Sequence, residues 1–135
     1  MNRDTDIMAR TIYGEARGEY YVKDGGINSL IAVGNVIMNR SIERSRSISS
    51  ICLKPKQFSF WNKTDPNFKV IQNVTFSDKI FQLCYSVSCQ IINGQTPDIT
   101  NGANHYYSKK IKTVPYWAYQ KIPIKTIGNH IFFRI

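Results

Sequence analysis

Apolar residues recur at helical spacing in three stretches of the chain, each bounded by residues that start or stop helices. Ile7, Met8, Thr11 and Ile12, followed by Glu15, fall on one face of a helix from Asp4 to about Ala16, with Asp4 or Thr5 available as its cap. Gly14 and Gly18 bracket its end, and Lys23-Asp24-Gly25-Gly26 reads as a turn. A second helix, capped by Asn28, carries Leu30, Ile31, Val33, Val36, Ile37 and Met38 around nearly its whole circumference, as a helix surrounded by protein does. Ser41 to Ser50 is polar and reads as its frayed end plus a surface loop, and Lys54 to Asn67, with Pro55 and Pro66 around Phe58, Phe60 and Trp61, reads as an aromatic-rich loop. From Ser77 a third amphipathic helix sets Ile80, Phe81, Cys84, Val87 and Ile91 on one face and closes at Asn93-Gly94. Beyond Asp98 the pattern breaks into short pieces rich in Tyr, Ile and Phe, among them Tyr106-Tyr107, Tyr116-Trp117 and His130 to Phe133, which predict short strands and loops. Helices first and strands in the C-terminal third predict an α+β fold, a single domain over residues 1–135.

Composition narrows the function more than the fold. With 135 residues, 42% hydrophobic, the chain has ordinary globular content, and no apolar run approaches the ~20 residues of a bilayer span. Met1 to Asp6 is polar, unlike a basic segment leading into an apolar one, so neither a signal peptide nor membrane insertion is expected. Eighteen Lys and Arg against nine Asp and Glu give a formal +9, which draws the protein to polyanions such as nucleic acid, acidic lipid or an anionic cell wall without choosing among them. Cys52, Cys84 and Cys89 are odd in number and read as free, mostly buried thiols. No second Cys or His pair supplies a zinc-site spacing, and neither a metal nor another cofactor is expected.

Glu15 is the carboxylate whose position perturbs it. It follows the apolar face of the first helix and sits at the helix C-terminal end, so desolvation and the dipole both push its pKa up, as a general acid for glycosidic cleavage requires. A solvated Glu paired with Arg17 or Lys23 is the plainer reading. Glu19, four residues on, shares that face if the helix continues, but two carboxylates flanking a scissile bond must approach from opposite sides, so a supporting role or a salt bridge suits it. His105 and His130 are candidate bases that nothing in the sequence brings together, and no Gly-x-Ser-x-Gly or phosphate-cradling loop is present. Aromatics in loops beside Gln57, Asn62, Asn101 and Asn104 suit a sugar chain, and equally suit bases stacked beside Lys and Arg.

An ordered set of motifs separates these alternatives. Ile12-Tyr13-Gly14-Glu15-Ala16-Arg17-Gly18-Glu19, Ala32 to Arg40, Pro55 to Trp61, Asp98 to Tyr107, Pro115-Tyr116-Trp117-Ala118 and Ile127 to Phe132 together resemble the SleB-type cell wall hydrolases, a family of peptidoglycan-cleaving lytic enzymes. The resemblance implies a compact lysozyme-like, lytic-transglycosylase-like domain that cuts the β-1,4 bond between N-acetylmuramic acid and N-acetylglucosamine. Glu15 matches the family's catalytic Glu, acting as acid and then base while the C6 hydroxyl of muramic acid attacks C1 to form a 1,6-anhydro product. By analogy Gln57, Phe58 and Phe60 form one cleft wall and Tyr106 or Tyr107 the other, Trp117 and His130 match family positions at the cleft, and Asn39 and Arg40 anchor the second helix. The implied partners are peptidoglycan glycan strands and, through net charge, anionic wall polymers; nucleic acid is not one, and a monomer is expected. The expected place of action is the bacterial wall, reached by lysis in a phage or prophage setting or by another export route. The rivals are a hydrolytic muramidase on the same fold and an inert wall-binding module.

Overall fold

In a computed structural model describing residues 2–135, α1 spans Arg3–Ala16. Its cap is Asn2, two or three residues earlier than the expected Asp4 or Thr5: the Asn2 side chain accepts from the amides of Asp4 (2.8 Å) and Thr5 (3.3 Å). The Asp4 carboxylate is thereby left to accept from the Ser49 amide at 3.0 Å. A one-turn 3-10 helix at Gly18–Tyr21 and a turn over residues 23–26 lead to α2, Ile27–Arg44. Gly26, at φ +61°, occupies the cap position instead of Asn28, which falls inside the first turn.

Helix α2 is the centre of the molecule, as its encircling apolar pattern predicts. Leu30, Val33 and Ile37 face a helical cluster with Met8, Ile12 and Phe81, while Ala32 and Val36 face a second cluster with Ile127 and Phe132 from the sheet and Ala103 from the segment before it. At Gly34 a Cβ would stand 2.5 Å from Ile91 Cδ1 and 3.2 Å from Ile12 Cδ1, so glycine is what lets α1, α2 and the last helix close on one another.

Two short helices join the three expected ones, the first beginning inside the expected 41–50 loop and the second just after the aromatic loop. α3, Ile48–Leu53, is capped by Ser47 and buries Ile48, Ile51 and Cys52. α4, Phe68–Asn73, has its end held by Arg10, whose Nη1 donates to the carbonyls of Ile71 (2.6 Å), Gln72 (3.1 Å) and Val74 (3.1 Å). Between them residues 54–67 form the aromatic loop, with one 3-10 turn at Ser59–Trp61. The Trp61 indole donates to Thr11 Oγ1 at 3.0 Å and pins this loop onto α1.

α5, Lys79–Ile92, starts two residues after the expected Ser77 because Asp78 is the cap, accepting from the amides of Ile80 (2.9 Å) and Phe81 (3.1 Å). The same carboxylate accepts from the Tyr13 hydroxyl at 2.7 Å, which ties α5 to α1. The C-terminal third supplies β1 (His105–Ser108), β2 (Lys125–Ile127) and β3 (His130–Phe133) in an antiparallel sheet of order β1-β3-β2. Tyr106 stands opposite Phe132 and Tyr107 opposite Ile131. Tyr116 and Trp117, in the stretch read as short strands and loops, form a 3-10 turn, Tyr116–Ala118; Pro115 before them supplies no amide to a ladder. The fold is therefore α+β, helices preceding strands. All three cysteines are free; burial pushes the thiols of Cys52 and Cys84 up to about 12. Among the described residues no helix is long and apolar enough to cross a membrane.

Candidate active site

Glu15 is the penultimate residue of α1, and after Ala16 the chain passes into the 3-10 segment Gly18–Tyr21. The carboxyl group opens into a cleft of about 290 Å³ between the aromatic loop and β1. Gln57 and Phe58 come from the loop, His105 and Tyr106 from β1, and Trp117 from the 3-10 turn; Arg40, Arg44 and Lys56 complete the lining. Glu15 is the only carboxylate in that lining.

The Tyr106 hydroxyl donates to Glu15 Oε1. Burial drives the Glu15 pKa up; the Tyr106 hydrogen bond and the charge of Arg40 pull it back without cancelling the rise. Tyr106 itself is pushed well above the ordinary phenol value, first by burial and then by the carboxylate beside it, so its hydroxyl remains a donor. Behind this ring lie Phe132, with centroids 5.5 Å apart, and the buried imidazole of His130 at 5.0 Å.

Arg40 is buried, and it braces both walls: Nε donates to the Asn104 carbonyl at 2.7 Å, and Nη1 to Gln57 Oε1 at 3.3 Å. Burial lowers its pKa, with Arg44 adding to the effect and Tyr106 and Glu15 opposing it. Asn39 anchors α2 one residue earlier, donating to Asp98 Oδ2 and to the Ala103 carbonyl, each at 2.9 Å. His105 packs on Trp117 with centroids 4.9 Å apart, and burial, with the nearby Arg40 and Arg44, lowers its pKa.

The structure thus brings Glu15, Gln57, Phe58, Tyr106 and Trp117 to one cleft, and sets four other sequence candidates elsewhere. Glu19 is turned to the β2–β3 hairpin, where it accepts from the Asn129 amide (2.7 Å) and from Asn129 Nδ2 (3.0 Å). Burial opposes ionisation there, but those two hydrogen bonds, with the charges of His130 and Lys110, outweigh it and hold the Glu19 pKa low. Phe60 is buried against α1, its ring 2.8 Å from where a Gly14 Cβ would be. Tyr107 stacks on Phe133 on the opposite sheet face from Tyr106, and His130 lies behind Tyr106. Conversely, Arg44 and Lys56 line the cleft although no role is expected of them, and so does His105, a candidate base but not an expected cleft residue. The sequence held a signal for each: Arg44 is i+4 to Arg40, Lys56 precedes Gln57, and His105 precedes Tyr106.

The family model described as Cell Wall Hydrolase matches residues 26–133, from the start of α2 to the end of β3. The chain belongs to the cell wall hydrolase family. Among its relatives, the spore cortex-lytic enzyme of Halalkalibacterium halodurans is 30% identical over 133 residues, covering 97% of this chain and 34% of that protein. The spore cortex-lytic enzyme of Bacillus cereus is also 30% identical over 133 residues, covering 97% of this chain and 44% of its own length. This cell wall hydrolase thus spans between a third and a half of the curated relatives it matches. The catalytic domain of the Bacillus cereus SleB protein superposes with a TM-score of 0.72 at 26% identity, over 97% of this chain and 89% of that one. The catalytic domain of the germination-specific lytic transglycosylase SleB from Bacillus anthracis gives the same TM-score and identity over 99% and 96%. The family model begins after Glu15 and Glu19; the matches covering 97% of this cell wall hydrolase include both.

Proposed function

We propose that this cell wall hydrolase cleaves the β-1,4 bond between N-acetylmuramic acid and N-acetylglucosamine in peptidoglycan as a lytic transglycosylase, with Glu15 as acid and base. The observation that carries the reading is a single carboxyl group, its pKa raised by burial, set in a cleft whose lining holds no other carboxylate. Protonated Glu15 donates to the glycosidic oxygen as the bond to C1 breaks and oxocarbenium character develops. The resulting carboxylate then takes the proton of the muramic acid C6 hydroxyl while that oxygen bonds to C1. Glu15 is left protonated, the product is a 1,6-anhydro sugar, and no water is consumed.

A hydrolase of the two-carboxylate kind needs a second carboxylate across the bond. Glu19 is committed to Asn129 and does not line the cleft, which favours the intramolecular acceptor. Tyr106 keeps the Glu15 carboxyl in one orientation and steadies it in the charged half of the cycle. Gln57 on one side and Trp117 on the other receive the sugars, an amide and a ring face being suited to hydroxyl, acetamido and C–H surfaces, while the buried Phe58 ring backs the first wall. Phe60, Tyr107 and His130 support these walls from behind. The protein acts at the wall, to whose anionic polymers its +9 charge draws it.

Clearing of purified peptidoglycan by wild type and Glu15→Gln tests the assignment. The variant keeps a hydrogen-bond acceptor for Tyr106 but has no proton to transfer, and loss of ~100-fold or more in rate is expected. A variant that clears at the wild-type rate removes Glu15 from the mechanism.

A further inference from the structure

Next to the cleft lies a second concavity of about 400 Å³, between the C-terminal end of α2 and α3. Arg44 lines both. The chain also runs unbroken from Lys54 and Pro55, in the wall of the concavity, to Lys56 and Gln57, in the wall of the cleft. Arg44, Arg46, Lys54 and Lys56 are all exposed, and none joins an ion pair among the described residues. The acid beside them in sequence, Glu43, is taken up by Arg134 at 3.2 Å and by the Asn104 amide at 3.2 Å. Apart from Glu15, neither space is lined by a carboxylate. Three cations around the concavity, Arg44, Arg46 and Lys54, with Lys56 beyond them in the cleft wall, set up a positive field that no carboxylate of the concavity offsets, and that field favours an anionic ligand.

We infer that this concavity is an anionic subsite that receives the carboxylates of the peptide stem carried by the muramic acid being cleaved. The inference rests on the functional reading above. The stem leaves the glycan from the sugar whose bond lies over Glu15, so its receptor must adjoin the cleft, and this one is joined to it through Arg44 and the 54–57 segment. Leu53 and Pro55 offer apolar contact to short aliphatic side chains of the stem, and Ser50 a hydroxyl. A phosphate-rich wall polymer, in contrast, has no need of a walled space at the cleft, since it can lie on the basic surface at large.

Calorimetric titration of the E15Q protein, which binds without turnover, separates this inference from the functional reading. The ligands are a soluble disaccharide bearing a free-acid stem, the same compound with the stem amidated, and the disaccharide without a stem. The free-acid form is expected to bind roughly 3- to 10-fold more tightly than the other two, the scale of a few exposed ion pairs. That advantage is expected to fall to about 1-fold in R46Q/K54Q on the E15Q background, and to vanish near 1 M salt, where the screening length is about 3 Å. Both residues are exposed, and K54Q alone, expected to lose part of the advantage, serves if the double variant does not fold. Equal binding with and without a stem overturns the subsite, as does an amidated stem that binds like the acid. Competition by a glycerol-phosphate polymer with no stem dependence also overturns it and assigns the cations to wall polymer. Failure of all three sugars to bind overturns the functional reading together with the inference.

Discussion

Glu15 carries a conflict that can be read out without any substrate. Its folded-state pKa is raised, so the folded protein holds the proton more tightly than the unfolded chain does. Below the ordinary carboxylate range both states are protonated and nothing is lost; as pH rises through that range and on through the folded-state pKa, ionisation favours unfolding. Glu15→Gln removes the ionisation and keeps an acceptor for Tyr106. The variant is expected to melt above wild type at neutral pH, with the difference closing as pH falls below the ordinary carboxylate range, measured by thermal denaturation across pH. A variant less stable than wild type at neutral pH would show that the carboxylate is comfortable where it is. Tyr106→Phe works in the opposite sense on the proton: it takes away a hydrogen bond that favours the charged form. The alkaline limb of the pH–rate profile is expected to move upward, and the rate to fall by roughly 10- to 150-fold, in line with the ~1.5–3 kcal/mol of a hydrogen bond to a charged group. An unmoved limb would separate Tyr106 from the titration of Glu15.

The elements hold this residue in place through close approaches that the sequence signalled unevenly. Gly14 lets the Phe60 ring lie on α1, with ring atoms 2.8 to 2.9 Å from a would-be Cβ. Gly14→Ala is expected to push that ring and the loop bearing Gln57 and Phe58 outward, costing about 1–3 kcal/mol and lowering Tm by several degrees. Circular dichroism melts and clearing rates measured together would test it, and an unchanged Tm would contradict it. Glu19 acts on a different element: it fastens the Gly128-Asn129 turn, where Gly128 at φ +58° leaves the carboxylate room. Glu19→Gln is expected to cost roughly 0.5–1.5 kcal/mol at neutral pH. Since the Glu19 pKa is lowered in the folded state, that cost shrinks as pH falls through it, and kcat is expected to change far less than in Tyr106→Phe. The three long helices were legible because their apolar faces repeat over several turns. α3 and α4, at six residues each, are too short for periodicity to show, and α4 is ended by Arg10, a residue 61 positions from the carbonyl at Ile71. The position of Glu15 at a helix end was legible; that Tyr106 and not Tyr107 faces it depends on strand register, and that Glu19 is spent on Asn129 depends on a pairing 110 residues apart.

Across the whole molecule, α2 lies between a helical cluster that positions α1 and a sheet cluster that positions Tyr106, so the acid and its hydrogen-bond partner arrive from opposite sides of one helix. Arg40, on the last turns of that helix, joins the loop wall to the strand wall. The family's shared fold extends over almost the entire chain, while the curated relatives run to more than twice its length. The cleft lies within this shared portion. The +9 charge includes Arg44, Arg46, Lys54 and Lys56, grouped on one side of the cleft, and in the proposed reading this group adds attraction to an acidic substrate. The measurement that bears most directly on the proposed chemistry is mass spectrometry of the soluble products released from purified peptidoglycan by wild type and by Glu15→Gln. Anhydro-muropeptides from wild type and none from the variant are expected; muropeptides ending in reducing muramic acid would contradict the intramolecular acceptor and return the site to a hydrolytic muramidase.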